Sequence, residues 1–352
     1  MFFSVIIPIY NVARYIDRGF GALLAQDYSD FEVILVDDGS TDSSAAICDR
    51  LAAEHGFVSV IHKRNEGSGP ARNAGIQAAK GDYILFFDID DLLVPGAFTR
   101  LHEELANNAV DVLVFGYEEV NPVLKLRNEY RFHSLDCRSN EDIRANYTEH
   151  LSGLRLNNGF VWNKAYRREF IRTNEIKFEP LRIQQDEVFN LAVYPKAQSL
   201  RAIPDILYTY FVYDNGNTRS RFIPERLDIY RRVRDAFLTL YADWNLRDRS
   251  LFEYIHQRFF NSLVTNINFN VFHPDNTASD DIRHESELLE IMRSADVRRT
   301  IDVLRHSDYV ASLHTGYFRA IDAQSAASYI RVMQRDRLKN KLKNVARKIL
   351  HR

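Results

Sequence analysis

The chain has 352 residues, 45% hydrophobic and 27% charged, so it can hold a full α/β domain with an appendage and is too apolar to be intrinsically disordered. Its two cysteines, Cys48 and Cys137, exclude a disulfide scaffold and a cysteine-rich zinc site, and fit a reducing compartment. A formal net charge of −2 argues against a general nucleic-acid binder, and no run approaches the roughly 18 apolar residues of a membrane span.

The opening stretch, Met1–Tyr10, is apolar, lacks a basic leader and carries Pro8; it reads as a buried strand, not a signal peptide. β-branched or aromatic runs recur at Ser4–Ile9, Glu32–Val36, Val58–His62, Tyr83–Phe87 and Asp111–Tyr117. Helical patterns lie between or after them at Val12–Gln26, Asp42–Glu54, Gly69–Lys80 and Pro95–Asn107. Continuous apolar strands alternating with helices predict a Rossmann-like, mostly parallel sheet with helices on both faces. Ligands in such sheets bind beyond the carboxyl ends of strands, which places the chemistry just after Tyr10, Val36, His62 and Phe87. Residues 121–220 mix short elements punctuated by prolines, with a strand at Ile206–Tyr213; from Pro224 onward the pattern is mainly helical. The histidines show no metal-ligand spacing. Neither a dinucleotide fingerprint nor a phosphate-binding P-loop occurs, which counts against a dehydrogenase or an NTPase.

Two acidic clusters fall at strand ends. In Val36-Asp37-Asp38-Gly39-Ser40-Thr41-Asp42 two adjacent carboxylates follow a strand, a ligand site or a helix-capping cluster. In Phe87-Asp88-Ile89-Asp90-Asp91 a hard divalent cation would find oxygen ligands; the plainer alternative is an acidic turn with Asp91 capping a helix. Arg72, early in a helix behind Gly67-Ser68-Gly69, suits a phosphate ligand or a surface pair with Glu66.

Taken in order, Ser4-Val5-Ile6-Ile7-Pro8-Ile9-Tyr10-Asn11, the Asp37-Asp38 motif, Asn65-Glu66-Gly67 with Ala71-Arg72-Asn73-Ala74-Gly75, and Asp88-Ile89-Asp90-Asp91 resemble the family 2 glycosyltransferases of GT-A fold, of the bacterial surface-polysaccharide type. Trp162-Asn163-Lys164 and Gln185-Asp186-Glu187-Val188-Phe189 extend the resemblance. It departs at Gln185, where the family often has Glu, and at Phe211, where it commonly has Arg.

The resemblance implies a metal-dependent inverting glycosyltransferase that moves a sugar from a UDP-sugar to a hydroxyl of a lipid-linked glycan acceptor, with Mn2+ or Mg2+. It implies Asp90 as metal ligand, Asp88 as a ribose or metal contact, Asp38 and less directly Asp37 at the base or ribose, and Pro8, Tyr10 and Asn11 lining the nucleotide pocket. Asp186 or Glu187 would be the general base. Trp162 is a candidate for stacking on an acceptor sugar and Lys164 for reaching a phosphate; a buried Trp and an exposed charge are the alternatives. The catalytic domain would span 1–222, with a nucleotide-sugar half at 1–120 and an acceptor half at 121–222, followed by a helical region at 223–352. Competing readings are a sugar-phosphate nucleotidyltransferase, whose Gly-rich basic loop is replaced here by Asn11-Val12-Ala13-Arg14, and a non-catalytic scaffold in a membrane-bound assembly.

The net charge hides an asymmetry. Residues 331–352 carry nine Lys or Arg and one acid, a charge of +8, which leaves −10 on residues 1–330. Leu338, Leu342, Val345 and Ile349 form one helical stripe, so this end reads as a basic amphipathic helix for an anionic inner-leaflet surface. The enzyme is then expected in the cytoplasm, peripheral on the inner face of the cell membrane, with no nucleic-acid partner.

Overall fold

A computed structural model describes residues 1–151, 159–213, 222–276, 281–307 and 315–350; the side chains of 281–283, 315 and 340–350 are outside the description. The chain divides into two compact units, Met1–Asp214 and Asn215–Arg352.

The first unit is built on a ten-stranded sheet. Its parallel part comprises β1 (Phe3–Ile9), β2 (Phe31–Asp37), β3 (Val58–His62) and β4 (Tyr83–Phe86), in the order β3-β2-β1-β4. Helices α1 (Ala13–Leu24), α2 (Ser44–Glu54) and α3 (Ser68–Ala78) connect them, and α4 (Ala97–Asn107) follows the short β5 (Leu92–Leu93). These elements match the sequence periodicity closely because β1, β2 and β4 are buried along nearly their whole length.

Beyond β4 the sheet becomes mixed. The fifth expected run, β6 (Val112–Asn121), does not lie beside β4: the four-residue β9 (Lys164–Arg167) is inserted antiparallel between them. β10 (Leu200–Phe211) runs parallel to β6 and carries β5 on its far edge. It starts six residues before the expected strand, with its register against β6 shifted between Ala202 and Ile206, around Pro204. The strands β7 (Leu126–Tyr130) and β8 (Leu135–Cys137) pair with β6 and β10. Short helices α5 (Asn140–Asn146) and α6 (Arg168–Thr173) precede α7 (Gln185–Val193).

One close approach positions the site. A Cβ on Gly75 would fall 2.3 Å from Cγ2 of Ile6, so only glycine lets α3 rest this tightly on β1. Arg72, one turn earlier on α3, is thereby buried at the carboxyl end of the sheet.

The second unit is helical: α8 (Arg226–Asp243), α9 (Arg249–Asn266), α10 (Asp281–Arg293), α11 (Ala295–Leu304), α12 (Thr315–Asp322) and α13 (Ala326–Leu350). Phe237, Phe259, Phe260, Leu288, Ile301 and Ile321 fill its core. Asp296 on α11 takes Arg231 and Arg234 of α8 at 2.9 and 2.8 Å. Buried His256 is pushed down to about 4 by desolvation and by nearby Arg299 and Arg234, so it packs as the neutral imidazole. On α13, Tyr329 and Met333 are buried, whereas Leu338 is 59% exposed. Leu342, Val345 and Ile349, the rest of the expected stripe, lie outside the described side chains. Among the described residues no helix is long and apolar enough to cross a membrane.

Candidate active site

The loops after β1, β2 and β3 are tied to one another by side-chain oxygens. Asn11, at φ +53°, accepts from Thr41 N at 2.8 Å and Asp42 N at 3.3 Å. Asp42 in turn accepts from Ala13 N and Ser44 N, joining the starts of α1 and α2. Asp37 accepts from Ser40 N at 3.0 Å and lies 3.0 Å from His62 Nδ1, whose Nε2 faces Asp49 at the same distance. Burial pushes the Asp37 carboxyl up, but the hydrogen bonds from Ser40 and His62 outweigh it and hold it below the ordinary value. Gly39, at φ +73°, allows the turn.

Asp38 does not cap the helix that follows it. Its carboxylate accepts from Gly67 N at 2.7 Å, from Glu66 N at 3.1 Å and from Lys63 Nζ at 2.9 Å, so it organises the start of α3. Glu66 pairs with Lys63 at 2.6 Å, not with Arg72. Of the three residues expected to line a nucleotide pocket, Pro8 sits within β1 and partly exposed, Tyr10 is well exposed, and the Asn11 side chain is committed to the neighbouring loop.

Arg72 is the pivot. Only 4% exposed, it donates Nη2 to Asp88 at 2.8 Å and Nη1 to Asp186 at 2.8 Å. Its guanidinium lies 5.5 Å from the Phe178 ring centroid. The first aspartate of the strand-end motif and the first acid of α7, 98 positions apart, are thus joined by one side chain. Gln184, at φ +60°, precedes α7, and Gln185 Nε2 reaches Ser68 at the start of α3.

The three aspartates of the motif have different surroundings. Asp91 is buried and accepts from Tyr208 Oη and Phe211 N, each at 2.8 Å. It therefore clamps the motif to β10 and caps no helix, since β5 intervenes before α4. Burial, then Asp88 and Asp90, push its carboxyl far up. Tyr208 Oη also accepts from Asp88 N, a contact that sequence reasoning missed; its trace is only the alternating aromatic pattern of β10. Asp90 takes no side-chain partner among the described residues, and burial and Asp88 push its carboxyl up.

Asp186 and Glu187 part company. Asp186 faces Arg72, with its carboxyl pushed up by burial and drawn back by Arg72. Glu187 is buried beside Gly159, on another side of α7. Lys164 is fully buried, with Nζ donating to Phe160 O at 2.5 Å and Asn163 Oδ1 at 2.9 Å; desolvation pushes its pKa well down. This corrects the exposed-charge alternative and leaves Lys164 no reach to an external phosphate. Trp162, 3% exposed, is stacked against Phe160, Tyr208 and Tyr210. It packs as core and presents no free face to an acceptor sugar.

Among the described residues no group of three or more His, Cys, Asp or Glu converges as a ready metal cage. Asp90 with the oxygen of Asp88 not held by Arg72 still suits a hard divalent cation that keeps water and takes its remaining ligands from phosphate.

Parallel strands, an acidic motif at their carboxyl ends and an antiparallel insertion between β4 and β6 make the first unit a GT-A fold. Residues 4–173 match the family described as Glycosyl transferase family 2. The uncharacterized glycosyltransferase EpsJ of Bacillus subtilis (strain 168) is 32% identical over 246 residues, covering 69% of this chain and 70% of its own length. The putative glycosyltransferase EpsH of the same strain is 28% identical over 269 residues, covering 68% and 74%. The crystal structure of S. aureus TarS 1–349 in complex with UDP-GlcNAc aligns with a TM-score of 0.65 at 20% identity, over 96% of this chain and 92% of that one. The chain belongs to the family 2 glycosyltransferases.

Because Asp91 satisfies two buried donors, Asp91→Ala should lower unfolding stability by on the order of 2 kcal/mol, measured by urea denaturation. Asp91→Asn, which keeps an acceptor and removes a buried acid beside Asp88 and Asp90, should retain most of it. Equal losses in both variants would refute the clamp.

Proposed function

We propose that this glycosyltransferase moves a hexose from a UDP-sugar to a hydroxyl of a glycan acceptor, with inversion, in the assembly of a lipid-linked surface polysaccharide. The observation that carries this reading is the Arg72 bridge between Asp88 and Asp186. It holds a donor-side carboxylate and a candidate base at one strand-end locus.

In this reading Asp186 accepts the proton of the attacking hydroxyl while the bond from the anomeric carbon to the diphosphate breaks and UDP leaves. Its side chain is 21% exposed, which leaves room for an acceptor hydroxyl, and burial raises its basicity toward that needed near neutral pH. Asp90 and Asp88 would hold Mn2+ or Mg2+, which when bound offsets the charge of the leaving diphosphate. Tyr10 and Pro8 would line the nucleotide, with Asp37 and Asp38 shaping its pocket through the loops they tie. The choice of UDP is supported by the TarS crystal structures in complex with UDP-GlcNAc and with UDP. A glycan acceptor is supported by a further relative, the poly(ribitol-phosphate) beta-N-acetylglucosaminyltransferase TarS of Staphylococcus aureus, 26% identical over 270 residues.

The second part of the proposal is attachment to an anionic membrane surface through 331–352, at the cytoplasmic face. Exposed Leu338 among Arg331, Arg335, Arg337 and Lys339 supports it: a docked helix whose basic end turns an apolar side chain outward suits an interface.

A screen of UDP-, GDP- and TDP-sugars with manganese should show nucleotide release from UDP-sugars. Asp186→Asn and Asp90→Ala should lower that release about a hundredfold or more, and Glu187→Gln by only a few fold. Preference for a GDP- or TDP-sugar, or equal losses at Asp186 and Glu187, would contradict the assignment.

Deleting 338–352, which leaves Tyr329 and Met333 in the core, should move the protein from the membrane to the soluble fraction while donor hydrolysis persists. An unchanged membrane fraction speaks against the anchor.

A further inference from the structure

Arg14 and Arg18 lie one helical turn apart on α1, and both are exposed. Arg18 is held in place by hydrogen bonds and ring contacts. Nη1 donates to Tyr213 Oη at 2.8 Å, Nη2 donates to the backbone carbonyl of Asp90, and the guanidinium carbon lies 4.6 Å from the Phe211 ring centroid. Arg14 sits 4.5 Å from the Tyr15 ring centroid, and no hydrogen-bond partner is found for it among the described residues. A guanidinium has five N–H groups, so the two bonds of Arg18 leave most of its fork available.

The charge around the motif explains why such a fork matters. Arg72 is already matched by two carboxylates, and Lys164 is buried on Phe160 and Asn163. Neither offers an uncommitted cation to a ligand arriving at Asp90. Arg18 reaches the backbone of Asp90 directly, and Arg14 lies one helical turn from Arg18 on the same helix. A nucleoside diphosphate carries more negative charge than one divalent cation offsets.

We propose that Arg18, assisted by Arg14, binds the diphosphate of the nucleotide-sugar donor beside Asp90. This rests on the donor reading above. The rings of Phe211 and Tyr213 pre-orient the guanidinium, which lowers the ordering cost when the phosphates arrive.

Calorimetric titration of the full chain with UDP, and separately with UMP, in the presence of manganese tests this. Arg18→Ala should weaken UDP about tenfold and UMP much less, because the proposed contact is to a diphosphate, which UMP lacks. Arg14→Ala should give a smaller loss in the same sense. Adding Phe211→Arg to Arg18→Ala should recover part of the UDP affinity, since the Arg18 guanidinium stacks on that ring. If wild type binds UDP and Arg18→Ala matches it within twofold, this inference alone is overturned. If wild type binds no UDP, the donor reading falls and this inference falls with it.

Discussion

A buried guanidinium shared by two carboxylates organises the first unit. Arg72 is among the least exposed charged side chains, and its buried charge is matched by the carboxylates of Asp88 and Asp186. Removing either partner leaves part of a buried charge uncompensated. The contact of Gly75 with Ile6 sets how deep α3 lies, and Asp38 sets where α3 starts. The conformation of the loop after β3, the left-handed turn at Gln184 and the clamp of Asp91 on β10 all converge on the geometry that lets one Arg reach two acids far apart in sequence.

Electrostatics around this pivot separate residues that look alike in sequence. Asp37 and Asp38 are neighbours, but one closes its own turn on His62 and the other reaches the start of α3. Asp88, Asp90 and Asp91 fall within four positions; Arg72 holds the first, the second is without a side-chain partner among the described residues, and β10 absorbs the third. Asp186 and Glu187 are adjacent on a helix, where successive side chains point about 100° apart. Only Asp186 meets Arg72.

The first half of the fold was legible because β1, β2 and β4 are buried apolar runs and the helices between them have clear periods. β9 was not, because four residues are too few for a period and its Lys164 reads as a surface charge until burial is known. The carboxylate motifs identified the strand ends correctly. They did not say which oxygens would be consumed by backbone N–H groups of other loops, since that depends on three-dimensional proximity between residues some 30 positions apart, as for Asp38 and Gly67. Trp162 illustrates the same limit, because two of its stacking partners, Tyr208 and Tyr210, come from β10, more than 40 positions later.

Arg72 couples the strand-end motif to Asp186, the proposed general base, and the pH profile of kcat/KM tests that coupling most directly. Arg72 draws the Asp186 carboxyl down against the upward push of burial. In Arg72→Gln that counterweight is gone, so the folded-state pKa of Asp186 rises and this proposed base is protonated at higher pH. The acid limb of the profile should therefore move to higher pH, with Arg72→Lys falling between the variant and wild type. An acid limb that stays in place in a folded Arg72→Gln protein would contradict the account.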